Sequence, residues 1–173
     1  MRRHPGKFLL ISCLLCMTWV VLLSRCAKEG KSPGGAPDFT MRTLDNQEIT
    51  LSNLRGKVVL LDFWATWCAT CRESIPHLVQ LYKTYQANGL EVIGVNVDRG
   101  DIDTVRRFAK SLDIPYPITV KTEDVEKKYG VTGYPTAVLV DRSGKIRQKF
   151  LGFSSGISKQ MAAAVAELTS EKP

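Results

Sequence analysis

Residues 36–173 hold only two cysteines, Cys68 and Cys71; the other three of the five, Cys13, Cys16 and Cys26, lie near the N-terminus. Two cysteines cannot staple a multi-disulfide scaffold, so the fold must rest on a hydrophobic core. Histidine is scarcer still, with two in the chain. Zinc takes about four ligands, and only His77 lies near the cysteine pair in sequence. His77 reads as a surface helix residue, so no metal site is expected. A c-type haem needs a histidine directly after the second cysteine; Arg72 stands there, which excludes it, and no cofactor is expected. Basic charge is also scarce where a nucleic-acid surface would need it. Residues 1–35 carry six basic side chains against Glu29 alone, whereas 36–173 carry 18 basic and 16 acidic ones. The net charge of +7 is largely a property of the leader, and nucleic acid is not an expected partner. No internal repeat is visible.

What is present fits a folded domain behind a targeting segment. The 173 residues suit one domain, and 44% hydrophobic with 24% charged residues is the balance of a globular chain. The opening runs from a basic MRRHPGK through the apolar stretch Phe8–Leu23 to a polar segment containing Arg25, Lys28 and Lys31. Sixteen apolar residues stand at the short edge of what spans a bilayer. Three readings stay open: a lipoprotein signal ending Leu23-Ser24-Arg25-Cys26 with Cys26 acylated, an uncleaved anchor with Trp19 at the interface, or a plain cleaved signal. Arg25 stands where a lipoprotein signal carries a small residue. The Cys13-Leu14-Leu15-Cys16 pair sits inside the apolar run, where thiols behave as small hydrophobes. A basic-then-apolar leader is the export pattern, so the expected location is the cell envelope, on the extracytoplasmic face of the inner or cytoplasmic membrane. The division is a leader over 1–29, a Gly/Pro-containing linker over 30–37 and a domain over 38–170.

Within the domain, the pattern alternates between strand and helix. Phe39–Leu44 and Glu48–Leu51 flank Asp45-Asn46, as a hairpin would. Lys57–Trp64 is a near-continuous apolar run of strand length, expected of a central strand buried on both faces. A helix is expected over 68–88, kinked at Pro76 and stopped by Asn88-Gly89. A strand over 91–97, a helix over 101–112 and a strand over 118–120 follow. A short helix over 124–129, a strand over 136–140, a turn at 141–144, an antiparallel strand over 145–150 and a helix over 158–168 complete the order. Strands alternating with helices, then a terminal hairpin, imply an α/β fold with a mixed sheet.

The chemistry centres on Cys68-Ala69-Thr70-Cys71, which follows the buried strand and begins a helix. Disulfide exchange needs a thiolate. A sulfur at a helix N-terminus meets unpaired N–H groups and roughly half a unit of positive charge, which favours the anion. The two-residue spacer puts the second sulfur within one turn, ready to attack a mixed disulfide. Cys68 is the expected nucleophile and Cys71 the buried resolving thiol. An inert structural disulfide is the alternative, but so small a loop restrains the unfolded chain little.

Asp62 lies six residues before Cys68 in an otherwise apolar strand. A buried carboxylate is costly, so a raised pKa and a role as proton acceptor for Cys71 are expected; the alternative is an acid at the strand end that reaches solvent. Gly133-Tyr134-Pro135-Thr136 precedes the next strand. An X-Pro bond there can be cis, which would leave the Tyr134 backbone free to pair with a substrate strand. An ordinary strand-entry proline is the bland alternative.

Together, Asp62-Phe63-Trp64-Ala65-Thr66-Trp67-Cys68, the CxxC pair and Thr132-Gly133-Tyr134-Pro135-Thr136 resemble the thioredoxin superfamily over about residues 36–170. Within it the chain looks most like the membrane-attached TlpA/ResA-like oxidoreductases of AhpC/TSA type. Further cues are the leading hairpin, Leu54-Arg55-Gly56-Lys57, the helix–strand insertion around 98–120 and Ile75-Pro76-His77-Leu78. The resemblance implies a thioredoxin-like fold, with a central mixed sheet flanked by helices, an N-terminal hairpin and a central helix–strand insertion. It implies a cis bond at Pro135, substrate contacts at Trp67, Tyr134 and Pro135, and a redox disulfide between Cys68 and Cys71. It also implies a reductant of extracytoplasmic protein disulfides, apocytochrome c among them, supplied by a membrane electron donor. Three departures stand out. Ala69-Thr70 lacks the proline common before the second cysteine. Ser74 stands where the subfamily usually has Glu, with Glu73 one place earlier. Asp62 matches thioredoxin itself, where the subfamily often has Asn.

Other readings remain. One reverses direction and makes the protein an oxidase that inserts disulfides. A peroxidatic reading is weak, since peroxiredoxins place Thr three residues before the reactive cysteine and Ala65 stands there. The last is a non-catalytic binding module on a thioredoxin scaffold.

Overall fold

The computed structural model describes residues 35–120 and 123–171. The leader, with Cys13, Cys16, Trp19 and Cys26, and most of the linker lie outside the described residues.

Strand β3 (Val58–Trp64) is the centre of a five-stranded sheet of order β5-β4-β3-β6-β7. It runs parallel to β4 (Leu90–Asn96) and antiparallel to β6 (Thr136–Val140). Beyond them lie β5 (Ile118–Val120), parallel to β4, and β7 (Ile146–Leu151), antiparallel to β6. All seven residues of β3 are buried, which is why its apolar run does not alternate: both faces are covered. Phe63 and Trp64 point to opposite faces. Trp64 stacks on Phe108 with ring centroids 5.2 Å apart, and Phe63 meets Tyr129 at 5.7 Å.

The leading hairpin pairs β1 (Thr40–Arg42) with β2 (Glu48–Thr50). Asn46 turns it with φ of 61°, a conformation asparagine tolerates better than most residues. The hairpin is fastened to β5 by a bridge from Thr43 to Thr119 and by the Leu44 N–H on the Ile118 carbonyl at 2.8 Å. The β6–β7 turn is organised by Asp141, whose Oδ1 accepts from the backbone N–H of Ser143 and of Lys145.

Among the described residues four α-helices complete the domain: α1 (Ala69–Tyr85), α2 (Ile102–Ser111), α3 (Glu123–Lys128) and α4 (Ser155–Ser170). Helices α1 and α4 pack on each other, α1 also against β4 and α4 against β3. Helix α1 runs unbroken through Pro76 and gives way to a 3-10 turn over Gln86–Asn88, sooner than Asn88-Gly89 suggests. Arg72, whose carbonyl Pro76 leaves without a helical donor, is exposed, as is Pro76 itself. Helix α4 begins three residues earlier than its apolar spacing indicates. Ser154 caps it, its Oγ accepting from the Ile157 N–H at 3.2 Å. The architecture is a thioredoxin-like fold with an N-terminal hairpin and a helix–strand insertion formed by α2 and β5.

Candidate active site

The site lies where β3 and β4 end and β6 begins. Phe63 pairs with Thr136 and Trp64 with Asn96. The loop after Trp64, the segment after Asn96 and Pro135 therefore meet at one edge of the sheet, as ligand sites do at the carboxyl ends of parallel strands.

Cys68 is the N-cap of α1, in extended conformation, and its Sγ accepts a hydrogen bond from the Cys71 N–H at 3.1 Å. The two sulfurs are joined in a disulfide with the Cα atoms 5.2 Å apart. Cys68 keeps 8% of its surface exposed and Cys71 none. The outer sulfur is thus the one a partner can reach, and it sits at the positive end of a 17-residue helix. One turn on, buried Ser74 donates to the Cys71 carbonyl at 2.9 Å, whereas Glu73 is exposed.

The approach to Cys68 is held by two residues that sequence reasoning missed. Asp98 accepts the Thr66 N–H on both carboxylate oxygens, at 3.1 and 3.3 Å. Asn96, buried at the end of β4, donates from Nδ2 to Asp98 Oδ2 and accepts from the Asp98 N–H. The available signal was the pair of polar residues, Asn96 and Asp98, closing an apolar strand.

Around the disulfide, Trp67 is 69% exposed and meets Tyr134 edge-on, centroids 5.8 Å apart. The Tyr134–Pro135 peptide bond is cis. The Tyr134 hydroxyl bonds the Glu126 carboxylate, and burial together with that carboxylate pushes its pKa up to about 12. Leu151 is also exposed. Arg72 lies over the Phe108 ring at 4.6 Å.

In the middle of β3, Asp62 is 1% exposed and neither carboxylate oxygen has a hydrogen-bond partner. Burial raises its pKa from 3.8 to about 7. It lines a small cavity together with Ser74, His77, Pro135, Phe153 and Met161. His77 is not the surface residue its sequence position suggested. It is half-buried because α4 and the segment before it fold over α1, placing Ser158 Oγ 3.1 Å from Nδ1 and the Phe153 ring 6.0 Å away. Burial lowers the His77 pKa, and the Ser158 contact opposes that in part. Among the described residues no group of three His, Cys, Asp or Glu side chains is placed to hold a metal ion.

Comparison with known proteins agrees with this geometry. Residues 34–149 match the AhpC/TSA family. The chain is 37% identical over 129 residues to the thiol-disulfide oxidoreductase ResA of Bacillus cereus, covering 73% of this chain and 74% of that one. A solved thiol:disulfide interchange protein of the thioredoxin family from Chlorobium tepidum superposes with a TM-score of 0.71 at 28% identity, over 80% of this chain and 98% of that one. The exposed lipoprotein thioredoxin Etrx1 of Streptococcus pneumoniae gives 0.66 at 28% identity, over 76% and 100%.

Proposed function

The chain belongs to the AhpC/TSA family and is a thioredoxin-fold thiol-disulfide oxidoreductase of the ResA type, and from that premise we propose that it reduces protein disulfides outside the cytoplasm through a Cys68–Cys71 dithiol. The observation that carries this reading is the placement of Cys68 Sγ on the Cys71 N–H at the start of α1. The same N–H and helix end stabilise a thiolate once the disulfide is opened.

In the proposed cycle the Cys68 thiolate attacks one sulfur of a substrate disulfide. That bond breaks, the first substrate thiolate leaves, and a mixed disulfide forms. Asp62 takes the Cys71 proton, and the Cys71 thiolate attacks Cys68 Sγ. The second substrate thiolate leaves, and two electrons have passed from the protein dithiol to the substrate. A donor must then return two electrons. Trp67, next to Cys68 in the chain, meets Tyr134 edge-on, and the Tyr134–Pro135 bond is cis; the substrate chain would lie there in extended form, its backbone against Tyr134.

The expected setting is the extracytoplasmic face of the membrane, with the leader as anchor or with Cys26 lipidated. The export pattern of the leader supports this, as does the likeness to a protein described as an exposed lipoprotein. A membrane electron donor and apocytochrome c as a substrate rest on the family resemblance.

The deciding measurement is the reduction potential of the Cys68–Cys71 couple in the full chain, equilibrated against dithiothreitol or glutathione. A value near about −270 mV supports a reductant. One near about −120 mV makes the protein an oxidase instead. Activity that survives in the Cys68→Ser, Cys71→Ser double variant would replace the redox reading with a binding module.

A further inference from the structure

Trp67 stands next to Cys68 in the chain and is 69% exposed. An indole so open to solvent samples several rotamers unless a neighbour restrains it, and a substrate that covers it must bear the ordering. The neighbour here is Tyr134, met edge-on at 5.8 Å. Tyr134 is itself fastened at three points. The Gly133 carbonyl before it accepts from Thr136 Oγ1 at 2.6 Å, and the Pro135 carbonyl after it accepts from the Gly152 N–H at 2.8 Å. The far end of the ring is tied by its hydroxyl, which donates to the Glu126 carboxylate. Glu126 belongs to α3, and the chain around it has its own anchors. Val125 is buried, the Glu126 carbonyl accepts the Val131 N–H at 3.0 Å, and Tyr129 packs on Phe63 of β3. A line of contacts therefore runs from α3 through Glu126 and Tyr134 to the residue that precedes Cys68.

We propose that Glu126 is a positioning residue for protein substrates: by fixing the Tyr134 ring it holds Trp67 in place for an extended chain to cover. The inference rests on the reading of the protein as a reductase of protein disulfides and adds nothing to the cysteine chemistry. A hydroxyl bonded to a carboxylate is among the stronger hydrogen bonds. Burial and the Glu126 carboxylate raise the Tyr134 pKa to about 12, against the opposing charge of Arg99, so the hydroxyl stays a donor near neutral pH. The two rings are then ordered on folding instead of on binding, and a preorganised surface gains affinity without new contacts. A disulfide too small to cover the rings gains nothing from their order. The effect is one of specificity, favouring protein disulfides over small ones.

The experiment measures reduction of insulin by the full chain, with dithiothreitol as donor and the uncatalysed rate subtracted. Glu126→Ala should raise KM for insulin about three- to tenfold, the cost of ordering a side chain on binding, with kcat nearly kept. Tyr134→Phe, which keeps the ring and loses the hydroxyl, should give the same rise. The double variant should be no worse than either, because the two residues act through one bond. Glu126→Gln keeps an acceptor and should recover most of the loss. With oxidised glutathione as the disulfide the deficits should be much smaller. In protein carrying 5-fluorotryptophan, the fluorine resonance of Trp67, assigned with Trp67→Phe, should move in Glu126→Ala toward that of a free indole, while that of Trp64 stays.

A wild-type KM in Glu126→Ala overturns the proposal. So does an additive double variant, which would mark two independent roles, or a Glu126→Gln that behaves like alanine, which would assign the effect to the charge. Equal losses with insulin and glutathione, or a displaced Trp64 resonance, would mark a structural role and overturn it as well. Wild type separates the failures. If it reduces insulin no faster than dithiothreitol alone, the reductase reading falls and takes the proposal with it. If wild type is active and the variants match it, only the role of Glu126 falls.

Discussion

Both carboxylate oxygens of Asp98 accept from the Thr66 backbone N–H, at 3.1 and 3.3 Å, and tie the loop ahead of Cys68 to the end of β4. The two residues are 32 apart in sequence, yet they set the path of the chain into the N-cap of α1. Asn96 locks the carboxylate in turn. Substituting Asp98→Ala leaves a part-buried N–H without its charged acceptor. The expected cost is about 1.5–3 kcal/mol of stability, read by urea denaturation of the oxidised protein. Asp98→Asn should recover a good part of it, because the amide oxygen can still accept.

The burial of Asp62 makes stability depend on pH with a definite sign. Its pKa is raised in the folded state, from 3.8 to about 7. Below pH 4 the group is protonated folded or unfolded, and burial exacts no ionic penalty. Between pH 4 and 7 the unfolded chain has lost the proton while the folded one keeps it, so stability falls as pH rises. Above pH 7 the penalty is complete, on the order of 4 kcal/mol. Comparing Asp62→Ala with wild type at pH 4 and pH 8 isolates this. The variant should gain several kcal/mol relative to wild type between those two values. A difference that does not change with pH would mean that the carboxyl is not perturbed.

Accessibility predicts which sulfur reacts first. Cys68 is 8% exposed and Cys71 fully enclosed. In the reduced full chain, Cys71→Ser should be alkylated by iodoacetamide about tenfold or more faster than Cys68→Ser near neutral pH, since thiolate character and access both favour Cys68. Mass spectrometry of the quenched products measures it. Equal rates would remove the distinction between nucleophile and resolving thiol.

Local features of this fold are legible in the sequence, and long-range ones are not. The unalternating run of β3, the Asp45-Asn46 turn and the cysteine pair opening a helix are properties of short windows, and each appears where its window lies. Helix α4 starts ahead of its apolar periodicity because the spacing begins only after the capping serine, and a capped first turn can be polar throughout. Asp98 could not be assigned from its own neighbourhood, because its partner lies across the β3–β4 register. The burial of His77 is hidden from the sequence for a related reason. Its half-burial is made by Ser158 and Phe153, some 80 residues away, and a helix pattern alone does not say which later helix will cover it.

Trp67 offers a test of how substrates are held. At 69% exposure it contributes little to the core, so its conservation of fold stability on substitution by alanine should be within about 0.5 kcal/mol. Its ring, next to Cys68 in the chain, forms an edge-on pair with that of Tyr134. An extended protein segment can cover these rings, whereas a small disulfide reaches Cys68 without them. Trp67→Ala should therefore raise KM for a protein disulfide such as that of insulin several-fold, with kcat nearly kept. Its rate with oxidised glutathione should stay close to wild type. Equal losses with both substrates would instead assign Trp67 to the geometry of the cysteine pair, because a residue that only positions Cys68 acts before any substrate is chosen.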